Sequence, residues 1–201
     1  MWGVITIYRF GYHVVHIFLL LVGGKLKVEN KHKIPAAPFV VVCTHRTWLD
    51  IIFLALAIWP HQVYYMAKQE LFTTKFLGWL ITKLHAFPVN RENPGPSSLK
   101  TPLKLLKAGK IVGIFPSGTR FGEHTSLKRG AVTIALKANV PIVPAIYEGP
   151  KSFKELLKRK RKLIRFGDPI ILEDGQRATK EMIEEKMIQL QQTFDHLKQM
   201  K

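Results

Sequence analysis

Cysteine is almost missing from this 201-residue chain, which carries only Cys43. No internal disulfide can form, so the small stapled folds are excluded and a reducing compartment fits. Acids are also scarce, with 14 Asp and Glu against 31 Lys and Arg, a formal charge of +17. Such a balance calls for an anionic partner: nucleic acid, an anionic lipid surface, a phosphorylated small molecule or an acidic protein. No helix-turn-helix, aromatic RNA-binding signature or Cys/His finger is present, which weighs against nucleic acid. No Gly-x-Ser-x-Gly elbow is present, which weighs against a serine hydrolase built on Ser117. There is no internal repeat and no low-complexity segment. The length suits one domain with a substantial core.

Long apolar runs are lacking as well. Phe10 to Val22 is 13 residues, closed by Gly23-Gly24, and falls short of the ~20 that a spanning helix needs. Extending it back to Met1 takes in Arg9. The start has no basic cluster and no A-x-A site follows, so a signal peptide fits poorly. Residues 1–24 are expected to form a monotopic anchor, a helix lying in one leaflet, with Trp2, Tyr8 and Tyr12 at the interface. The alternative is a helix packed on the domain itself. His13 and His16 can share a face but make no metal site without a third ligand.

The chain is organised around Thr44-His45-Arg46-Thr47-Trp48-Leu49-Asp50. The β-branched run Phe39-Val40-Val41-Val42-Cys43 before it predicts a buried strand. Cys43 there reads as a small core residue. The run Ile51-Ile52-Phe53-Leu54-Ala55-Leu56-Ala57 after it predicts a buried helix. His45 therefore stands where strand gives way to helix, the place where sites collect in open α/β sheets. Along one continuous helix, His45 and Asp50 would lie about 140° apart and could not meet. With His45 on the loop and Asp50 in the first helical turn, the carboxylate can fix the imidazole tautomer and raise its basicity, as a general base requires. The competing reading is a plain helix start, capped by Thr47 or Asp50, with His45 only packing.

Further strands are expected at 63–67, 111–115, 140–146 and 163–166, and helices near 98–108 and 127–138, the latter capped by Ser126. Pro141 and Pro144 argue for an edge or irregular course of the fourth strand. Lys25 to Pro38 reads as a polar approach to the first. Phe76 to Ile81 is apolar and helical, suited to core or to an acyl groove, with core preferred. Lys151 to Arg165 holds eight basic residues against the single acid Glu155, a surface for anionic head groups or for an acidic carrier protein. In the tail, Ile183, Met187, Leu190, Phe194 and Leu197 make one helical stripe, over residues 176–201, that packs on the domain. The fold class expected is α/β. Residues 25–175 form a single domain with a central, largely parallel or mixed sheet flanked by helices, plus the N-terminal membrane-associated helix.

The His45 stretch is followed by Phe87-Pro88-Val89-Asn90-Arg91, then Phe115-Pro116-Ser117-Gly118-Thr119-Arg120, then Val140-Pro141-Ile142-Val143-Pro144. In this order and spacing they resemble the four blocks of the glycerolipid acyltransferase family, and most nearly its bacterial 1-acyl-sn-glycerol-3-phosphate branch, from about Lys25 to Pro169. The resemblance implies acyl transfer from a thioester, on coenzyme A or acyl carrier protein, to the 2-hydroxyl of lysophosphatidic acid. It implies His45 as base and Asp50 as its orienter. Arg91 and Arg120 would bind the substrate phosphate, with Gly118 and Thr119 supplying loop amides. Lys68 joins that site or is simply solvated. Pro141, Pro144 and Ser117 would shape the substrate sites. Ser117 departs from the family pattern, which commonly has Glu there, so no catalytic role is carried over to it. No metal and no cofactor are implied. The partners implied are an anionic membrane surface, lysophosphatidic acid and the acyl donor, with no nucleic acid, at the cytoplasmic face of the cell membrane. Another lysophospholipid acceptor, or a non-enzymatic basic membrane-binding protein, are the alternatives.

Overall fold

The computed structural model describes residues 2–45, 47–90, 95–116, 124–172 and 178–200. In chain order its elements are α1 (Trp2–Gly23), β1 (Leu26–Glu29), β2 (Val40–Cys43), α2 (Trp48–Ile58), β3 (Val63–Lys68), α3 (Lys75–Lys83) and β4 (Ala86–Val89). There follow α4 (Ser97–Lys107), β5 (Ile111–Ile114), α5 (His124–Ala138), β6 (Ile142–Glu148), α6 (Phe153–Leu157), β7 (Lys162–Phe166) and α7 (Lys180–Gln199). The seven strands make one sheet in the order β1-β7-β6-β2-β5-β3-β4. Every pairing is parallel except β6 with β7.

Alternation along the central strands explains the layers. Val40 and Val42 point to one core cluster, Val41 and Cys43 to the other. Ile142 and Ile146 follow the first pair, Val143 and Ala145 the second. Both sets are buried, which is why these strands read as unbroken apolar runs. Leu106 of α4, Ala131, Val132, Ile134 and Ala135 of α5 and Ile183, Leu190, Phe194 and Leu197 of α7 fill the first cluster. Leu19 of α1, Phe53 and Leu54 of α2 and Leu156 of α6 fill the second. Gly113 in β5 lies opposite Tyr65 in β3. A Cβ there would come within 2.7 Å of the Tyr65 ring, so glycine is required for that strand to pass.

Several expectations change. β6 is internal, between β7 and β2, not at an edge. The Pro144 carbonyl accepts from Gly167 N–H at 2.9 Å, on the β7 side, and the β6–β7 ladder begins only at Ala145 opposite Phe166. The missing proline N–H therefore forfeits a bond at the ladder's end rather than within it. The polar approach holds a strand, β1, whose four residues alternate Leu-Lys-Val-Glu at the sheet edge. α5 begins at His124, so Ser126 stands inside the helix, not at its cap.

The basic run is partly spent within the fold. Arg165 is buried, pairs with Glu29 at 2.5 Å, and donates to the carbonyls of Leu197 and Met200 at 2.6 Å each. Lys162, also buried, donates to the Gly23 carbonyl, and Arg159 donates to that of Leu21 at 2.8 Å. Each cation thus sits at a helix C-terminus, where the last carbonyls lack partners and the dipole is negative. Burial holds the Lys162 ammonium below its ordinary pKa.

α1 is seated on the domain along one side. Tyr8 is buried and hydrogen-bonded to the Val63 backbone. His85 is stacked between Tyr8 and Tyr64, with ring centroids 4.6 Å and 4.5 Å away. Tyr12 stacks on Trp59 at 4.0 Å. Tyr8 and Tyr12 therefore face the protein, not a lipid interface. No helix among the described residues is long and apolar enough to cross a membrane.

Burial of His85, helped by Lys110, holds its pKa below the ordinary histidine value of 6.5. As pH falls through that value the unfolded chain takes up the proton first, so stability is lost on acidification. Chemical denaturation between pH 7 and about 5 should show a shallower loss for His85→Asn, which tolerates the positive φ at this position, than for wild type.

Candidate functional site

β2, β5, β3 and β4 lie side by side and run the same way. Their carboxyl ends therefore share one edge of the sheet. The chain leaves β2 into Thr44 and His45, β3 ends at Lys68, β4 runs out through Asn90, and β5 runs out through Phe115 and Pro116. Of the residues singled out in the sequence, the structure brings His45, Asp50 and Lys68 to this edge. Arg91, Ser117, Gly118, Thr119 and Arg120 lie outside the described residues. Pro141 stands at the amino end of β6, where its carbonyl accepts from Val40 N–H at 3.0 Å, and Pro144 is buried within β6.

His45 is on the loop and Asp50 is in the first turn of α2. Nδ1 of His45 lies 3.4 Å from Oδ2 of Asp50. Asp50 is fully buried. Its Oδ2 accepts from the backbone N–H of Thr47 at 2.9 Å, and its Oδ1 accepts from the Thr47 hydroxyl at 2.9 Å. The Asp50 N–H bonds back to Thr47, closing a capping box at the start of α2. The two readings left open by the sequence are thus one arrangement: the carboxylate caps the helix and faces the imidazole together. A negative charge beside Nδ1 favours the tautomer with its proton there and leaves Nε2 as the basic nitrogen. Buried neighbours feel the same charge. Burial first, and Asp50 second, push the Tyr147 hydroxyl and the Cys43 thiol well above their ordinary values. Cys43 is therefore an inert core thiol.

Thr47 is the residue that sequence reading undervalued. Thr-x-x-Asp before an apolar run was the available signal. A carboxylate held at both oxygens by one residue cannot swing away from the imidazole.

His45 lines a cavity of about 430 Å³. Its walls come from α2 (Ile51, Ile52, Ala55, Leu56), β3 (Tyr65, Met66), α3 (Ile81) with Leu84 just after it, and α1 (Tyr8, Gly11, Tyr12, Val15). The ring of Phe115 packs 4.9 Å from that of His45. Lys68 is the cation in the wall, with its ammonium 3.6 Å from Glu70. A Cβ built on Gly11 meets nothing within 4 Å, so α1 leaves open space there. The contribution of α1 was not readable, because its wall residues precede their partners by thirty positions or more in the chain. A lining this apolar, with a histidine and, among the described residues, one lysine in it, suits a hydrocarbon ligand with a polar reacting end. No group of three or more metal-ligating side chains occurs among the described residues.

Fold and site together define an α/β enzyme with a His-Asp pair beyond the strand ends and an apolar cavity behind it. The chain belongs to the acyltransferase family, whose model, described as Acyltransferase, matches residues 25–148. It is 54% identical over 164 residues to the 1-acyl-sn-glycerol-3-phosphate acyltransferase of Bacillus subtilis, covering 81% of this chain and 82% of that one. It is 38% identical over 187 residues to the protein of the same name from Streptococcus pneumoniae, covering 92% and 70%. Among solved structures, the crystal structure of the 1-acyl-sn-glycerophosphate (LPA) acyltransferase from Thermotoga maritima matches with a TM-score of 0.67 at 23% identity, over 98% of this chain and 80% of that one. That last match shows the shared fold.

The capping box makes a sharp expectation. Thr47→Val keeps the backbone donor and removes the hydroxyl, a charge-assisted bond worth roughly 1.5–3 kcal/mol. Steady-state kinetics should show kcat for acyl transfer lower by about tenfold or more, at 1.4 kcal/mol per decade, with KM little changed. Thr47→Ser should restore it. Equal loss in both variants would mean that helix packing, not the hydroxyl, matters.

Proposed function

We propose that this protein transfers a fatty acyl group from a thioester to the 2-hydroxyl of 1-acyl-sn-glycerol 3-phosphate, giving phosphatidic acid. The observation that carries the reading is the placement of His45, with Asp50 behind Nδ1, in the wall of an apolar cavity. The names of the relatives supply the acceptor.

In this reading Nε2 of His45 takes the proton from the 2-hydroxyl as its oxygen attacks the thioester carbonyl. The tetrahedral adduct collapses, the C–S bond breaks and the thiolate leaves, taking the proton back from His45. The acyl chain lies in the cavity between α1, α2 and α3. Arg91 and Arg120, whose planar forks match phosphate oxygens, hold the phosphate with Lys68 and the amides of Gly118 and Thr119. Ser117 shapes the space around them, whereas Pro141 stands at the opposite, amino end of β6 and Pro144 is buried within that strand, so neither is kept in the site. A thioester is already activated, so the chemistry needs neither a protein nucleophile nor a metal. Holding the two substrates in line supplies several kcal/mol. The donor is acyl-coenzyme A or acyl carrier protein. α1 rests on the cytoplasmic leaflet as a monotopic element, since Phe10, Ile17 and Leu21 are 70%, 56% and 67% exposed.

The test is acyl transfer by purified protein to lysophosphatidic acid, with acyl-coenzyme A and acyl carrier protein as parallel donors. Wild type should form phosphatidic acid, and His45→Ala should lose more than ~100-fold, the scale of a general base. Equal rates in the two proteins would sink the mechanism. Product with other lysophospholipids but not this one would move the acceptor assignment.

A second measurement addresses the cavity. Gly11→Leu places a side chain where α1 leaves room. Donor competition should then shift toward shorter acyl chains, while kcat with the shortest donor is kept. An unchanged chain-length profile would remove the cavity from the acyl site.

A further inference from the structure

α3 has an odd surface for a helix in an α/β domain. Only Gly78 is buried. A Cβ at Gly78 would come 2.8 Å from the Phe72 carbonyl oxygen, so the helix lies hard against the turn before it through its glycine. Ile81 and the following Leu84 line the cavity. The rest of its apolar side chains point outward: Phe76 is 71% exposed, Trp79 55%, and Leu77 and Leu80 37% each. The Phe76 and Trp79 rings lie 6.3 Å apart. Of the two expectations for this segment, core or a groove lining, core was preferred; only Gly78 is buried, and Ile81 lines the cavity. Exposed aromatics grouped in this way mark a docking surface.

Charge identifies the occupant. Neither α3 nor α1 contains an acid, and Lys75 and Lys83 bracket α3. α1 packs beside α3, and it too carries an outward stripe, Phe10, Val14, Ile17 and Leu21, with Arg9 exposed next to it. The two helices bound the same cavity. Apolar and aromatic side chains framed by lysines, without one carboxylate, complement an anionic lipid surface: rings enter the acyl region while ammonium groups meet the head groups.

We propose that α3 is a second membrane-contacting element, inserting Phe76 and Trp79 into an anionic leaflet beside α1. This rests on the lipid substrate assigned above. The cavity mouth between the two helices then faces the leaflet directly.

The full chain tests it. Cys43 is buried, so Phe76→Cys gives one accessible thiol for an environment-sensitive fluorophore. Vesicles of phosphatidylcholine with phosphatidylglycerol should blue-shift the probe, and nitroxide groups on the lipid chains should quench it. A matching Leu21→Cys probe reports on α1. The double variant Phe76→Asp/Trp79→Asp, both at exposed positions, should bind these vesicles at least tenfold more weakly. Its acyl transfer to a monodisperse short-chain lysophosphatidate in detergent should match wild type. A probe at 76 that stays aqueous while the one at 21 is quenched overturns the proposal. So does a probe that responds to acidic acyl carrier protein and not to vesicles. Lipid insertion without any acyl transfer by wild type would leave the surface standing and remove the functional reading.

Discussion

A carboxylate with no exposed surface must be satisfied from within, and the way Asp50 is satisfied sets the geometry of the site. One residue, Thr47, supplies a donor to each of its oxygens. That fixes the first turn of α2, the direction in which the chain leaves β2, and so the position of His45. The arrangement stands at the carboxyl edge of four parallel strands, which gathers segments far apart in sequence. Local capping gives precision, and topology gives convergence. Neither alone would place a histidine, backed by a carboxylate, in the wall of an apolar cavity.

The centre of the fold was legible because its signals are local and redundant. Two-sided strands are uninterrupted Val and Ile runs, and the His-to-Asp spacing reads directly as loop followed by helix. Other features depend on partners distant in the chain. Pro144 looked like an edge residue because a proline inside a sheet normally costs a ladder bond, and only the point at which β7 begins to pair shows that here the lost bond falls at the ladder's end. β1 is four residues long and half polar, too weak a pattern to stand out from a linker. Phe76 to Ile81 has core composition, yet its exposure is decided by Gly78 lying against Phe72. The phosphate-site residues Arg91 and Arg120 were read from their blocks alone, and their assignment remains part of the functional proposal.

The run from Lys151 to Arg165 shows why counting charges misleads. It reads as one basic surface. In the fold its charges divide by depth. Arg165 and Lys162 are buried at helix ends, and Arg159 reaches a helix carbonyl, while Lys151, Lys154 and Lys158 remain exposed. The buried ones hold α1 and α7 to the sheet. A basic stretch can thus be a structural fastener along part of its length and an electrostatic surface along the rest, with the burial of each residue deciding which.

Those fasteners bear on the order of events during synthesis. The carbonyls at the end of α1 are met by Arg159 and Lys162, 138 and 139 residues later. Arg165 in turn is satisfied by carbonyls 32 and 35 residues beyond it. The end of α1 is therefore synthesised some 138 residues before the side chains that secure it. Until Arg159 and Lys162 are made, the last carbonyls of α1 have no cation to meet, so whatever surface lies near the exit tunnel can meet this helix before its fasteners do.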